Sequence, residues 1–353
     1  MQIFRSIILC AFCSVSSFNC FSQNNPDSIR VKNENLLAGL QAIIEKDGSF
    51  KDAVFLAEQG YENKVSSLNF YFDIIKKYKK ITTIYSHCLK TSAYRRSDSV
   101  NYLMNMALYS VISKPVVFEN DSVSIKTIPF YYNFEDPQGD KDLSSTFVTR
   151  LLTTHQGNCR SLAYLYKILA DETGSKCWLA LAPNHIYIRN YSKQVGWYNT
   201  ELTSGVFPTD AWIAASGYIS PDAIRSGLYM DTLSNRQAIG LCILDLAQGY
   251  IRQTNNYTDG FVLKAYALVL KYHPVNPMAL LLKGEALKQI YLEQKKNGPL
   301  TANLFSEMEG VYVQLIKLGY REMPKKAYHQ WLASLAKEKS KFENHQLPIS
   351  RHP

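Results

Sequence analysis

The chain has 353 residues, 46% of them hydrophobic and 20% charged, with a formal net charge of +9. This composition excludes a disordered or collagen-like chain, and the length calls for two or three domains. The charge is spread out; its clearest cluster, Lys76-Lys77-Tyr78-Lys79-Lys80, suits the solvated end of a helix. No recognisable module or dense basic stripe points to nucleic acid, so no nucleic-acid partner is expected.

The N-terminus reads as a targeting segment. Arg5 is followed by a short apolar run from Ile7 to Val15, and Cys20-Phe21-Ser22 before Gln23 forms a small-x-small cleavage site. A signal peptide over residues 1–22 and export, to a periplasm or beyond, are the expectation. Lipid anchoring at Cys20 ranks second, because Ser17-Phe18-Asn19 is a poor lead-in for it. The apolar run falls short of the roughly 20 residues a spanning helix needs. With no later candidate, no membrane span is expected. Export removes Cys10, Cys13 and Cys20 and leaves Cys88, Cys159, Cys177 and Cys242, too few for a disulfide scaffold although one bridge stays open.

Residues 23–140 read as a helical region. Its apolar-periodic stretches are Leu36-Leu37 with Leu40 and Ile43-Ile44, then Val65 to Lys77, then Val100 to Ser113, closed by Pro115. The aromatic, turn-rich segment Pro129 to Gly139 crosses toward the next region, either to wall its cleft or to pack in its core.

Residues 141–232 carry the chemistry. In Gly157-Asn158-Cys159-Arg160-Ser161-Leu162-Ala163 a cysteine opens a helix, with Leu162, Leu165, Ile168 and Leu169 at helical spacing and Gly174 as the stop. Unpaired N–H groups and the positive end of the helix dipole favour a thiolate there. Lys176–Ala182 reads as a buried strand, and His185–Arg189 and Trp197–Leu202 as two more, joined by a polar loop ending in Gly196. A hairpin centred on Lys193 places His185 opposite Glu201, with Cβ atoms roughly 4.5–5.5 Å apart. Glu201 would then hold one imidazole nitrogen and leave the other for the thiolate of Cys159. Trp197 and Asn199 share the Glu201 face, and Gln156 is a further amide near the cysteine. Cys177 reads as a core residue. No CxxC pair or His/Cys spacing suggests zinc; Cys159 with His155 and His185 is a minor metal reading. No cofactor is called for.

Beyond residue 232 the pattern is helical to about 342, with a tail over 343–353. Helices are expected over Asn235–Gln253, Phe261–Tyr272, Pro277–Leu292 and Lys325–Lys339, with Gly284 where two of them touch.

Cysteine, histidine and acid in this order, the first at a helix start and the others on successive strands, resemble the transglutaminase-like superfamily, a rearranged relative of papain-type cysteine proteases. The resemblance covers roughly residues 141–230. It implies an α+β fold with a papain-like core and a small antiparallel sheet, flanked by helical regions. It also implies Cys159 as nucleophile, His185 as base and Glu201 as orienting acid, acting on peptide or glutamine amides. The third position is more often Asp in that family. A bacterial branch carries a similar Gly-Asn-Cys-x-Ser-Leu-Ala helix together with helical repeats. Pro274 at a helix end, followed ten residues later by Gly284, resembles the tetratricopeptide repeat over about one and a half units. Such repeats bind partner peptides or serve as a structural cap. Two functions follow: a thiol hydrolase or acyltransferase with a protein or peptide substrate, or a binding module that keeps the cleft without turnover and docks a protein partner on its helices.

Overall fold

The computed structural model describes residues 26–61, 68–89, 94–120, 123–298 and 302–337. The expected signal segment with Cys20, and the tail, lie outside the described residues.

The chain opens with four helices: α1 (Pro26–Glu45), α2 (Phe50–Glu58), α3 (Leu68–Cys88) and α4 (Ser99–Ser113). In α1, Leu37, Leu40 and Ile44 form a buried stripe at one-turn spacing. A hairpin of β1 (Val117–Asn120) and β2 (Val123–Lys126) follows. Then come β3 (Tyr131–Tyr132), a 3₁₀ turn over Leu143–Thr146, α5 (Val148–Thr154), β4 (Gln156–Gly157) and α6 (Cys159–Thr173). An antiparallel sheet in chain order comprises β5 (Trp178–Ala182), β6 (His185–Ser192) and β7 (Gly196–Thr200). The remaining helices are α7 (Asp210–Ser216), α8 (Pro221–Arg225), α9 (Asn235–Thr254), α10 (Phe261–Tyr272), α11 (Pro277–Asn297), α12 (Ala302–Lys317) and α13 (Lys325–Lys337). The class is α+β: helices predominate and the sheets are small.

One hydrophobic cluster runs from Leu37 in α1 to Tyr328 in α13, with α6 at its centre. α6 packs on β6, α4, α3 and α5. Two buried polar ties hold α6 and the short helix before it. The Glu58 carboxylate accepts from Val148 N (2.6 Å), Thr149 N (3.0 Å) and Thr149 Oγ1 (2.7 Å), which satisfies the first turn of α5. Arg160, beside the cysteine, pairs with Asp245 of α9 at 2.8 Å. α1 and α2 pack on α9, so the N-terminal helices reach past the sheet region to the helices that follow it. Helices α9 to α12 pack in chain order, and Gly284 of α11 lets Tyr312 of α12 approach; a Cβ there would meet its ring at 3.1 Å. A smaller cluster of Leu280, Leu287, Val311 and Leu315 seals that contact. Cys88, Cys159, Cys177 and Cys242 are all free thiols. Among the described residues no helix is long and apolar enough to cross a membrane.

Candidate active site

Local chemistry sets Cys159 at the first position of α6. Asn158 accepts from Ser161 N (3.1 Å) while Ser161 Oγ accepts from Asn158 N (3.0 Å), a reciprocal capping box. Gly157 is needed before it, since a Cβ there would run into Ser161 Oγ and come within 3.0 Å of Leu151 Cδ1. Parallel pairing of β3 with β4 brings the 129–139 segment alongside: Asn133 N donates to Gly157 O (2.7 Å), and Asn158 Nδ2 donates to Pro137 O (3.2 Å). Phe130 and Tyr132 of that segment pack in the core, and the pairing of Tyr132 with Gly157 sets its hydroxyl near enough to Cys159 for their charges to act on each other.

His185 starts β6, directly after a two-residue turn in which Pro183 leads and Asn184 takes the left-handed region (φ +56°). The register of the next hairpin differs from the expected one. Ile188 pairs with Thr200 and Ser192 with Gly196, which centres the hairpin on Gln194 rather than Lys193. Continued, this register sets Glu201 opposite Tyr187 and diagonal to His185. A shift of two residues keeps the face, whereas a shift of one would have reversed it. Glu201 leaves the ladder and bridges Val206 instead, its N donating to Val206 O at 2.9 Å. Its side chain spans the diagonal: His185 Nε2 lies 2.5 Å from Glu201 Oε2, and Glu201 Oε1 accepts from Thr203 N at 2.8 Å. The Cys159 thiol is set against the same imidazole and the Ile186 N–H. His185 Nδ1 is buried and has no hydrogen-bond partner, which leaves it as the nitrogen open to the thiol.

The three groups are deeply buried: Cys159 is 8% exposed, His185 5% and Glu201 3%. Burial alone opposes ionisation of each, and their mutual charges reverse the sign. Burial pushes the Cys159 thiol up, but the His185 charge and hydrogen bond, with the Ile186 N–H, bring it below the ordinary thiol value. Burial pushes His185 down, but Glu201 and Cys159 raise it to about 10. Burial pushes Glu201 up, but His185 and the Thr203 donors hold it below the usual carboxylate value. All three shifts run in the direction that favours a thiolate, an imidazolium and a carboxylate.

The neighbouring residues sort differently. Gln156 is exposed on β4, paired with Tyr131. His155 stacks on Phe130 (4.6 Å) and does not join Cys159 and His185; among the described residues no His, Cys, Asp and Glu group is arranged to hold a metal ion. Asn199 is buried and donates to Asp210 Oδ1 (2.7 Å), while Arg189 donates to Asp210 Oδ2 (3.0 Å). Trp197 is 46% exposed, in an outer aromatic group with Trp178 and Tyr191. Two residues at the site carry no signal in the sequence: Tyr328 and Trp331 of α13, more than 120 positions beyond Glu201. Trp331 sets its ring edge-on to His185, centroids 4.9 Å apart.

Comparison with known protein families, with curated proteins and with solved structures returned no match for this chain.

Proposed function

We propose that the chain is a thiol-dependent acyl-transfer protein of transglutaminase-like type, a hydrolase or acyltransferase acting on peptide or glutamine amides. The observation that carries this reading is the array itself: Cys159 at the start of α6, against an imidazole whose Nε2 lies 2.5 Å from Glu201. Such an array suits nucleophilic catalysis and little else, because a buried thiolate is stable only beside a cation.

The steps follow from these groups. The Cys159 thiolate attacks the amide carbonyl carbon, and the carbonyl electrons move to oxygen. The Tyr132 hydroxyl is a candidate donor to that oxygen, since burial and the nearby Cys159 charge keep it protonated. As the tetrahedral centre collapses, the C–N bond breaks and the His185 imidazolium gives its proton to the leaving amine. The thioester is then attacked by water or a second amine, with neutral His185 taking the proton and Cys159 leaving as thiolate. Glu201 keeps the imidazole in one orientation throughout. Export, from the N-terminal segment, and docking of a protein partner on the helices after residue 233 belong to the same reading.

One observation favours the alternative of a binding module without turnover: the array is covered. The test is incubation of the full chain with glutamine-containing and amide-bearing peptides, followed by mass spectrometry of the Cys159 peptide. An acyl adduct on Cys159, lost in Cys159→Ala and slowed in His185→Ala, is the expected result. Amide turnover that survives Cys159→Ala removes the assignment of the nucleophile; binding without any adduct favours the module.

A further inference from the structure

The cover over the array is α13. Trp331 meets His185 edge-on with an interplanar angle of 80° and stacks with Trp212, centroids 6.3 Å apart and nearly parallel at 29°. Tyr328, three residues earlier and so on the same face of the helix, is 1% exposed. Its hydroxyl is buried close enough to Tyr132, Cys159 and Glu201 for all three to act on it. These two aromatic side chains lie where a chain delivered to the thiol would lie.

Two features separate α13 from an ordinary core helix. Its packing is thin: among its described side chains Tyr328 alone is buried, Ala327 and Trp331 pack partly against the core, and Lys326, Gln330 and Ala333 are exposed. The indole N–H of Trp331 is buried with no acceptor, so the seat takes the ring by shape and leaves its polar group unmet. The root of α13, by contrast, is firm. Ser220 Oγ donates to Gly319 O (2.9 Å) and Ser226 Oγ to Leu318 O (2.8 Å). Gly319 (φ +86°) lies so close to α8 that a Cβ would meet Ala223 N at 2.5 Å. Between that root and the helix, Arg321, Glu322 and Pro324 are exposed and Met323 anchors the segment in the core. A helix with a fixed root and a thinly held body can leave its seat while the fold beneath it stays intact.

We propose that the cleft over Cys159 and His185, between Tyr132 and Trp212, is a binding site for an aromatic peptide segment, held in cis by α13. The peptide that replaces α13 carries aromatic side chains at the Tyr328 and Trp331 positions. The proposal builds on the acyl-transfer reading only in taking that peptide as the substrate; occupancy of the cleft is measurable without turnover.

The experiment compares the full-length wild type with the double variant Tyr328→Ala/Trp331→Ala, both exposed to iodoacetamide, with Cys159 labelling read by mass spectrometry. Labelling is expected to be roughly tenfold faster or more in the variant, because the open cleft is then populated. A synthetic peptide of residues 325–337, at about millimolar concentration to offset the lost tether, restores protection, and the same peptide with both aromatic residues replaced does not. Equal labelling of wild type and variant overturns the proposal, and so does a peptide that gives no protection. Should the variant fail to fold by circular dichroism, the wild type decides. Cys159 labelling and α13 amide exchange that rise together, well below the global urea transition, support the proposal; labelling only on global unfolding overturns it. Adding His185→Ala to the double variant keeps the two readings apart: labelling that still depends on α13 but ignores His185 sinks the acyl-transfer reading and leaves this one standing.

Discussion

The start of α6 and the middle of α9 each bury a free cysteine, and their chemistry is opposite. Cys242, inside α9, is fully buried, and burial with the Asp245 and Glu58 charges pushes its thiol well above the ordinary value. Cys177, just before β5, is pushed up to about 12, mainly by burial. Cys159 is as deep in the protein, yet its thiol falls below the ordinary value. Depth is thus common to all three, and the partner decides: an imidazolium and an N–H against carboxylates or apolar walls.

The sharpest way to break this comparison is to titrate the thiolates by their ultraviolet absorbance, in wild type and in Cys159→Ala. The difference spectrum should contain a thiolate already at neutral pH, assigned to Cys159. With a thiol at about 12, Cys177 should be ionised on the order of 10⁵-fold less than half-titrated at that pH. A neutral-pH difference spectrum without thiolate would place Cys159 with the other two. Next in size is His185→Ala. It removes the charge and leaves the burial, so the Cys159 midpoint should climb to or above the free-thiol value of roughly 8.5. A midpoint unmoved by His185→Ala would show that the helix terminus alone carries the shift.

Much of this site was legible in the chain, for local reasons. Gly157, Asn158, Cys159 and Ser161 mark a helix start because capping is decided within four residues. Pro183-Asn184 marks the turn before His185 for the same reason. The hairpin centre was not legible to one residue, because Asn190 to Gly196 offers several centres and a shift of two in the pairing leaves every side chain on the same face. The cover was not legible at all: α13 meets the site through tertiary packing alone, and two aromatic residues three apart on a helix read the same in any core. The expected helices Asn235–Gln253 and Phe261–Tyr272 lie within a residue of α9 and α10, because capping Ser234 and the His273-Pro274 stop frame them.

Stability against pH probes the array from another side. A raised folded value makes the His185 contribution complete below its ordinary 6.5 and steadily lost as pH climbs toward about 10. The lowered Cys159 value acts in reverse: its contribution is complete above the ordinary 9.0 and lost as pH falls through its folded value. Where the two windows overlap one loss offsets the other, so wild-type stability should depend less on pH there than either group alone would make it. Cys159→Ala exposes the imidazole alone. Its stability, by urea unfolding, should decline as pH rises above 6.5, with a slope no steeper than about 1.4 kcal/mol per pH unit. Parallel wild-type and variant profiles would mean that the two groups do not exchange charge.

The smallest expected effect bears on why the third group is Glu. The register sets position 201 diagonal to His185, and such neighbours stand roughly 7–8 Å apart, against 4.5–5.5 Å for a direct pair. An Asp suffices for the direct pair; the diagonal needs one more methylene, and Glu201 with it closes to 2.5 Å while its other oxygen stays on Thr203 N. Glu201→Asp, conservative in charge, should therefore withdraw the carboxylate from Nε2, lower the His185 value and raise the Cys159 midpoint by about one unit, or tenfold in thiolate. That is less than His185→Ala, because the charge remains nearby. Glu201→Gln, which keeps the length and loses the charge, should shift the midpoint further than Asp does. The reverse order would mean that reach matters more than charge, and that the diagonal, rather than the field of the carboxylate, is what holds the imidazole in place.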